Sequence, residues 1–188
     1  MNLTGQFLIA MPSMQDPYFS KTITYICTHN QDGAMGVVLN RPLEINIASL
    51  FAQIKLEIEY TPLLDSPLHF GGPVMQERGF ILHTPHQEYN STTLINNTIA
   101  LTTSKDILEA TANQNTPEKM LIALGYAGWT AGQLEDEILQ NTWLNFETDN
   151  LNVIHRLIFD APNSEKFNLS MHLMGLDFAN LCDVAGHA

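Results

Sequence analysis

The run Thr22-Ile23-Thr24-Tyr25-Ile26-Cys27-Thr28-His29 is dense in β-branched and aromatic residues, and the apolar run Met35-Gly36-Val37-Val38-Leu39 follows it closely. Branched side chains are stiff in a helix but pack well on a pleated surface, so both runs read as strands. Between them, Asn30-Gln31-Asp32-Gly33 supplies residues that enter left-handed backbone at low cost. The segment therefore closes as a hairpin, which anchors the fold to an antiparallel sheet.

Further elements build on that hairpin. Phe7–Met11 reads as a short buried strand stopped by Pro12, and Leu68-His69-Phe70 and Gly79–Thr84 as two more. Thr92–Ile95 and Ile99–Thr102 form a second hairpin through Asn96-Asn97, Met120–Tyr126 is a buried strand, and Trp143–Phe146 is a further one. Asn46 caps a helix whose apolar face is Ile47, Leu50, Phe51 and Ile54, spaced by three or four. Thr103 or Ser104 starts a helix running to about Ala112, and Thr130-Ala131-Gly132-Gln133 has the capping-box form that opens another, to about Gln140. Asn150–Arg156 and Pro162–Met174 are helical, the latter presenting Phe167, Met171 and Met174 on one face and ending at Gly175. Strands crowd the first half and helices enter later, which predicts an α+β fold.

At 188 residues, with no repeat, linker or low-complexity tract, the chain is expected to form one domain over 1–188. Twenty acids against eight bases leave a net charge of −12, and the bases lie singly along the chain. Phosphate-backbone binding draws its affinity from clustered Lys and Arg, so direct contact with nucleic acid or with an anionic membrane is disfavoured. Two cysteines, Cys27 and Cys182, without a CxxC pair, fit a reducing compartment. The start lacks a basic signal region and no run approaches the roughly 18 apolar residues of a membrane span, so a cytoplasmic location is expected.

The local fingerprints of nucleotide, serine-hydrolase and zinc-protease chemistry are absent, as is an EF-hand loop. Of the seven histidines (His29, His69, His83, His86, His155, His172 and His187) only His83 and His86 lie close, with Pro85 bending the chain between them. No metal site and no cofactor is expected. Cys27 and His29 share a face of their strand, since side chains alternate, yet positions i and i+2 stand about 6–7 Å apart, so Cys27 reads as core filling rather than as a thiolate paired with His29. Asn40-Arg41-Pro42 offers a fork donor where the chain leaves the sheet, and Gly71-Gly72-Pro73-Val74 lets backbone approach a ligand or a neighbouring strand closely. Gly128-Trp129 sets an aromatic beside a helix start. Glu135 and Glu137 lie about 200° apart around their helix and so do not form a carboxylate pair.

Taken together, these segments resemble the AlgH/YqgE family of bacterial proteins. The resemblance rests on Gly5-Gln6-Phe7-Leu8-Ile9-Ala10-Met11-Pro12, Gly33-Ala34-Met35-Gly36-Val37-Val38-Leu39-Asn40-Arg41-Pro42 and Gly71-Gly72-Pro73-Val74. It continues through Arg78-Gly79-Phe80-Ile81-Leu82-His83, Leu124-Gly125-Tyr126-Ala127-Gly128-Trp129, Gln133-Leu134-Glu135-Asp136-Glu137-Ile138 and the terminal Ala185-Gly186-His187-Ala188. Thr130 and Phe167 stand where the family pattern suggests Gly and Trp. The resemblance implies a branched, barrel-like, mostly antiparallel β-sheet flanked by helices. It implies no reaction, although one branch of the family carries a name linked to regulation of alginate production.

Three readings of function follow. The first is a cytoplasmic binding or regulatory module acting on an unknown protein or small-molecule partner. Its candidate surface is Asn40, Arg41, Gly71, Gly72, Pro73, His83, Trp129, Gln133 and Glu137, some of which should converge on one groove. The second is an enzyme in which Glu135 or Glu137 meets His69, His83 or His86 in a cleft. The third, a transcriptional regulator acting on nucleic acid, needs a basic patch of Arg41, Arg78 and Arg156 against the overall charge.

Overall fold

A computed structural model describes residues 2–176. Cys182, His187 and the terminal Ala185-Gly186-His187-Ala188 lie outside the described residues. The strands are β1 (Phe7–Ala10), β2 (Ile23–Asn30), β3 (Gly33–Val38), β4 (Pro42–Asn46), β5 (Pro67–Phe70), β6 (Val74–His83), β7 (Thr92–Leu94), β8 (Ala100–Thr102), β9 (Met120–Thr130) and β10 (Trp143–Phe146). The helices are α1 (Ile47–Gln53), α2 (Asp106–Ala112), α3 (Gln133–Leu139), α4 (Leu151–His155) and α5 (Asn163–Leu173). The fold is α+β, and its sheet curls into a half-barrel.

The sheet runs β10-β1-β2-β3-β9-β6-β8-β7, and it branches at β9. The end of β9 pairs with β3 through Ala127–Thr130, while its beginning takes β5, in parallel, at Ala123 and Leu124. β4 continues that branch by pairing with β5. The other edge of β9 carries β6.

The branch point is made of glycine. A Cβ on Gly71 would sit 2.2 Å from the Gly125 carbonyl oxygen, and one on Gly72 would sit 2.0 Å from the Tyr126 carbonyl carbon. Gly125 itself has φ +74°, a conformation that costs little only without a Cβ. Of the two approaches the Gly71-Gly72 pair permits, the structure shows the close crossing of a neighbouring strand.

Helices cover both faces. On one face, Ile154, Leu157 and Ile158 pack on Phe7, Tyr25, Val37, Leu82 and Leu121. On the opposite face, Leu134 of α3 joins Leu8, Ile26, Trp129 and Trp143. A third cluster seats Ile47 and Phe51 of α1 and Ile107 and Leu108 of α2 against Ile81 and Ile122. Each such side chain taken from water contributes about 1.5–3 kcal/mol, so the strands are held by what covers them as well as by their ladders.

Several local expectations are refined. The register of β2 against β3 slips between Ile26 and Thr28, leaving Cys27 as the extra residue of a bulge. Cys27 then packs with Ile23 and Tyr25, while His29 joins the side of Ile26. The two therefore do not share a face, because the bulge interrupts the alternation that the sequence reading assumed. Asn46 caps α1 as expected, its side-chain oxygen accepting the Ser49 N–H at 2.9 Å.

The box opening α3 is only half formed. Gln133 Oε1 accepts the Thr130 N–H at 3.0 Å, but the cap residue is Gly132, which has no side chain to cap the helix. Helix α2 begins at Asp106, with Ser104 donating to the Asp106 carboxylate instead of capping. Helix α4, capped by Asn150, widens into a π-helical turn over Arg156–Asp160.

Candidate functional site

The structure sorts the nine candidate residues into separate places. Asn40 and Arg41 hold the loop that precedes β2. The Asn40 side-chain oxygen accepts the Ile23 N–H at 3.0 Å, its amide donates to the Lys21 carbonyl at 2.9 Å, and Arg41 Nη2 donates to the Ser20 carbonyl at 2.6 Å. Gly71 is adjacent, since Phe70 N–H donates to the Arg41 carbonyl and Val38 N–H to the Gly71 carbonyl. Gly72 and Pro73 continue from it into β6. Arg41 lies between β3 and β4, Arg78 within β6 and Arg156 in the π-helical turn.

Trp129, Gln133 and Glu137 do converge, under α3. The Trp129 and Trp143 indoles each donate to Glu137 Oε2 at 2.8 Å, and the Gln133 amide donates to Glu137 Oε1 at 2.9 Å. Three donors occupy the carboxylate, and both indoles are buried. Glu135 takes the other side of the helix. His29 Nδ1 accepts the Leu3 N–H at 3.0 Å, so its proton sits on Nε2 and is donated to Glu135 Oε1 at 2.8 Å. Bonds from its own backbone N–H and from His29 hold the Glu135 carboxyl below its usual range.

His83 stands apart, on the floor of a cleft of about 710 Å³ between the segment 85–91 and the hairpin β7–β8. Its ring is fully buried. Nδ1 lies 2.8 Å from the Thr84 carbonyl, which only accepts, so Nδ1 carries the proton. Nε2 is then an acceptor for the Thr102 hydroxyl at 2.7 Å. With its own proton committed, Thr102 Oγ1 accepts the Thr92 hydroxyl at 2.8 Å, and Thr92 Oγ1 accepts the Tyr89 N–H at 3.2 Å. Every donor in the chain points toward His83. Register explains the contact, because Thr92 and Thr102 face each other across β7 and β8. Burial pushes the imidazole pKa down, which keeps the ring neutral and accepting.

Tyr89 stands edge-on to the His83 ring, 5.7 Å between centroids. Its phenol oxygen is buried and has no hydrogen-bond partner among the described residues. Thr92, Thr102 and Tyr89 were absent from the sequence-derived set. The two threonines lie in the predicted second hairpin, and pairing its strands in register is the signal that brings them together.

Two other titratable groups are buried. Lys166, 2% exposed, donates to the Ile158 carbonyl at 2.7 Å and the Leu39 carbonyl at 3.2 Å, and burial pushes its pKa down to about 8. His69 bonds Asn163 through Nε2 at 3.1 Å, and burial, then Lys166, pushes its pKa down to about 4. Burial pushes the Cys27 thiol up, away from the thiolate. Among the described residues no group of three or more His, Cys, Asp or Glu is placed to hold a metal ion, and no helix is long and apolar enough to cross a membrane.

Comparison with known proteins places this architecture. The AlgH-like family profile matches residues 7–179. A UPF0301 protein of Thiobacillus denitrificans is 50% identical over 188 residues, covering all of this chain and 98% of the relative. A UPF0301 protein of Azoarcus sp. is 48% identical over 187 residues, covering all of this chain and 97% of that one. The solution structure of the AlgH protein from Pseudomonas aeruginosa superposes with a TM-score of 0.78 at 41% identity, covering all of this chain and 97% of its own. A Corynebacterium diphtheriae protein, DIP2367, shares the fold at a TM-score of 0.68 and 20% identity, over 90% of this chain and 85% of its own. The chain belongs to the AlgH-like family.

Proposed function

We propose that the protein is a cytoplasmic binding module whose ligand seats in the cleft over His83. The observation that carries this reading is the Tyr89 phenol, a buried donor in the wall of the cleft with no partner among the described residues. Unsatisfied buried polar groups are uncommon in folded proteins, and a bound ligand or water is a usual source of the missing bond. The lining is rich in hydroxyls (Ser91, Thr92, Thr93, Thr103) with apolar contact from Leu94 and Leu101, and it contains neither Lys nor Arg. That chemistry suits a neutral polar small molecule better than a phosphate backbone, and a regulatory role would run through its occupancy.

A thermal-shift screen of neutral metabolites, followed by amide NMR of each hit, tests the reading. Ligand at about 100 times its Kd stabilises by about 2.7 kcal/mol, which is readable as a rise in Tm. The expected result is a hit whose shift perturbations centre on Tyr89, Thr92 and Leu94. Hits that perturb only the Asn40–Arg41 loop or α3 would overturn it.

A further inference from the structure

A polarised chain runs from a threonine of the cleft lining to a ring nitrogen of His83. Thr92 is half-buried and lines the cleft, Thr102 is fully buried behind it, and His83, with its ring also buried, forms the floor. The chain runs Thr92 O–H to Thr102 Oγ1, then Thr102 O–H to His83 Nε2, with Nδ1–H fixed on the Thr84 carbonyl. A threonine that serves only to satisfy a buried histidine needs no second hydroxyl beyond it. Here the proton path continues to the cleft surface. The Tyr89 N–H donates to Thr92 Oγ1 and would stabilise the negative charge that grows there as the proton leaves.

We propose that Thr92 is a nucleophile for acyl transfer, activated by His83 through Thr102, and that the cleft takes a small uncharged ester; this rests on the cleft being the ligand site. Thr92 Oγ1 forms a bond to the acyl carbon. Its proton passes to Thr102 Oγ1, and the Thr102 proton passes to His83 Nε2, leaving an imidazolium that Thr84 continues to orient. The ester C–O bond breaks, and the departing alkoxide takes the proton back along the chain as an alcohol. Water then attacks the threonine ester with the same groups as base, releasing the carboxylic acid and free Thr92. No oxidant, reductant or metal enters the balance. The arrangement follows the logic of an activated nucleophile with an oriented base, with one hydroxyl inserted between them.

The probe is p-nitrophenyl acetate, added to the full-length protein at neutral pH, with the acylated protein digested and mapped by mass spectrometry. The expected result is one acetyl group on Thr92, absent in Thr92→Val. Thr102→Val and His83→Gln should slow acetylation at Thr92 by about 100-fold, the lower end of what a positioned base supplies. In wild type the rate should fall on acidification as His83 takes a proton, and that dependence should vanish in His83→Gln. Acetyl groups confined to lysines or His86, with Thr92 unmodified, would overturn the proposal. The wild-type map decides this even where a core variant fails to fold. NMR shifts at the cleft with Thr92 unacetylated would leave the binding reading standing, and their absence as well would remove both.

Discussion

Trp129 and Trp143 donate their indole N–H groups to the same carboxylate oxygen, Oε2 of Glu137, each at 2.8 Å. Their rings meet edge to face with centroids 5.9 Å apart. One side chain of α3 thus ties β9 to β10, elements at separate positions in the sheet order. Glu137 accepts from both buried indoles through one oxygen, while its other oxygen takes the exposed Gln133 amide one turn back along the helix.

Glu137→Ala should therefore destabilise by about 2–6 kcal/mol, since it strands two buried donors at about 1–3 kcal/mol each. For a chain of this size that is a fall in Tm of roughly 4–24 °C. Glu137→Gln keeps one acceptor oxygen and should cost clearly less. Urea denaturation followed by tryptophan fluorescence measures both, and an alanine variant within about 0.5 kcal/mol of wild type would contradict the shared-acceptor account.

The branch point makes a sharper prediction, with its control built in. Gly71→Ala drives a methyl into the Gly125 carbonyl at 2.2 Å, and backbone cannot give way there without parting β5 from β9. At Gly79 a Cβ meets nothing within 4 Å, and φ is not positive. Gly71→Ala should yield little folded protein, whereas Gly79→Ala should match wild type or exceed its stability by about 0.4–1 kcal/mol through a less free unfolded chain. Equal soluble yield and Tm for the two variants would refute the close-crossing argument.

Much of this architecture was legible in residue order. The β2–β3 hairpin, the Asn46 cap and the close approach at Gly71-Gly72 follow from backbone preferences that act locally. The bulge at Cys27 was not legible, because a single extra residue leaves no mark in a uniformly β-rich run. Lys166 left none either: its partners are the carbonyls of Leu39 and Ile158, which a residue of any type would supply. The His83 chain was hidden for a related reason. Thr92 and Thr102 read as ordinary strand formers, and their hydroxyls gain a direction only once register and the His83 tautomer are fixed.

His69 predicts how the fold responds to acid. Burial, reinforced by Lys166, holds its pKa at about 4 against an ordinary 6.5, so the folded state keeps the ring neutral where the unfolded chain protonates it. Between these values the unfolded state binds more protons, and stability must fall as pH drops from 6.5 toward 4. The full interval corresponds to about 3 kcal/mol, with His83, also depressed by burial, adding in the same direction. Glu135 and Asp106, whose carboxyls titrate below their usual range, contribute their loss lower down, on the acid side of about pH 4.5. His69→Gln removes the titrating group while retaining an amide that can bond Asn163. Its urea midpoint should vary less than that of wild type between pH 6.5 and 4.5, the two curves converging or crossing as acid is added. Parallel curves across that window would mean that His69 takes up its proton without unfolding cost, and the burial assigned to it would be wrong.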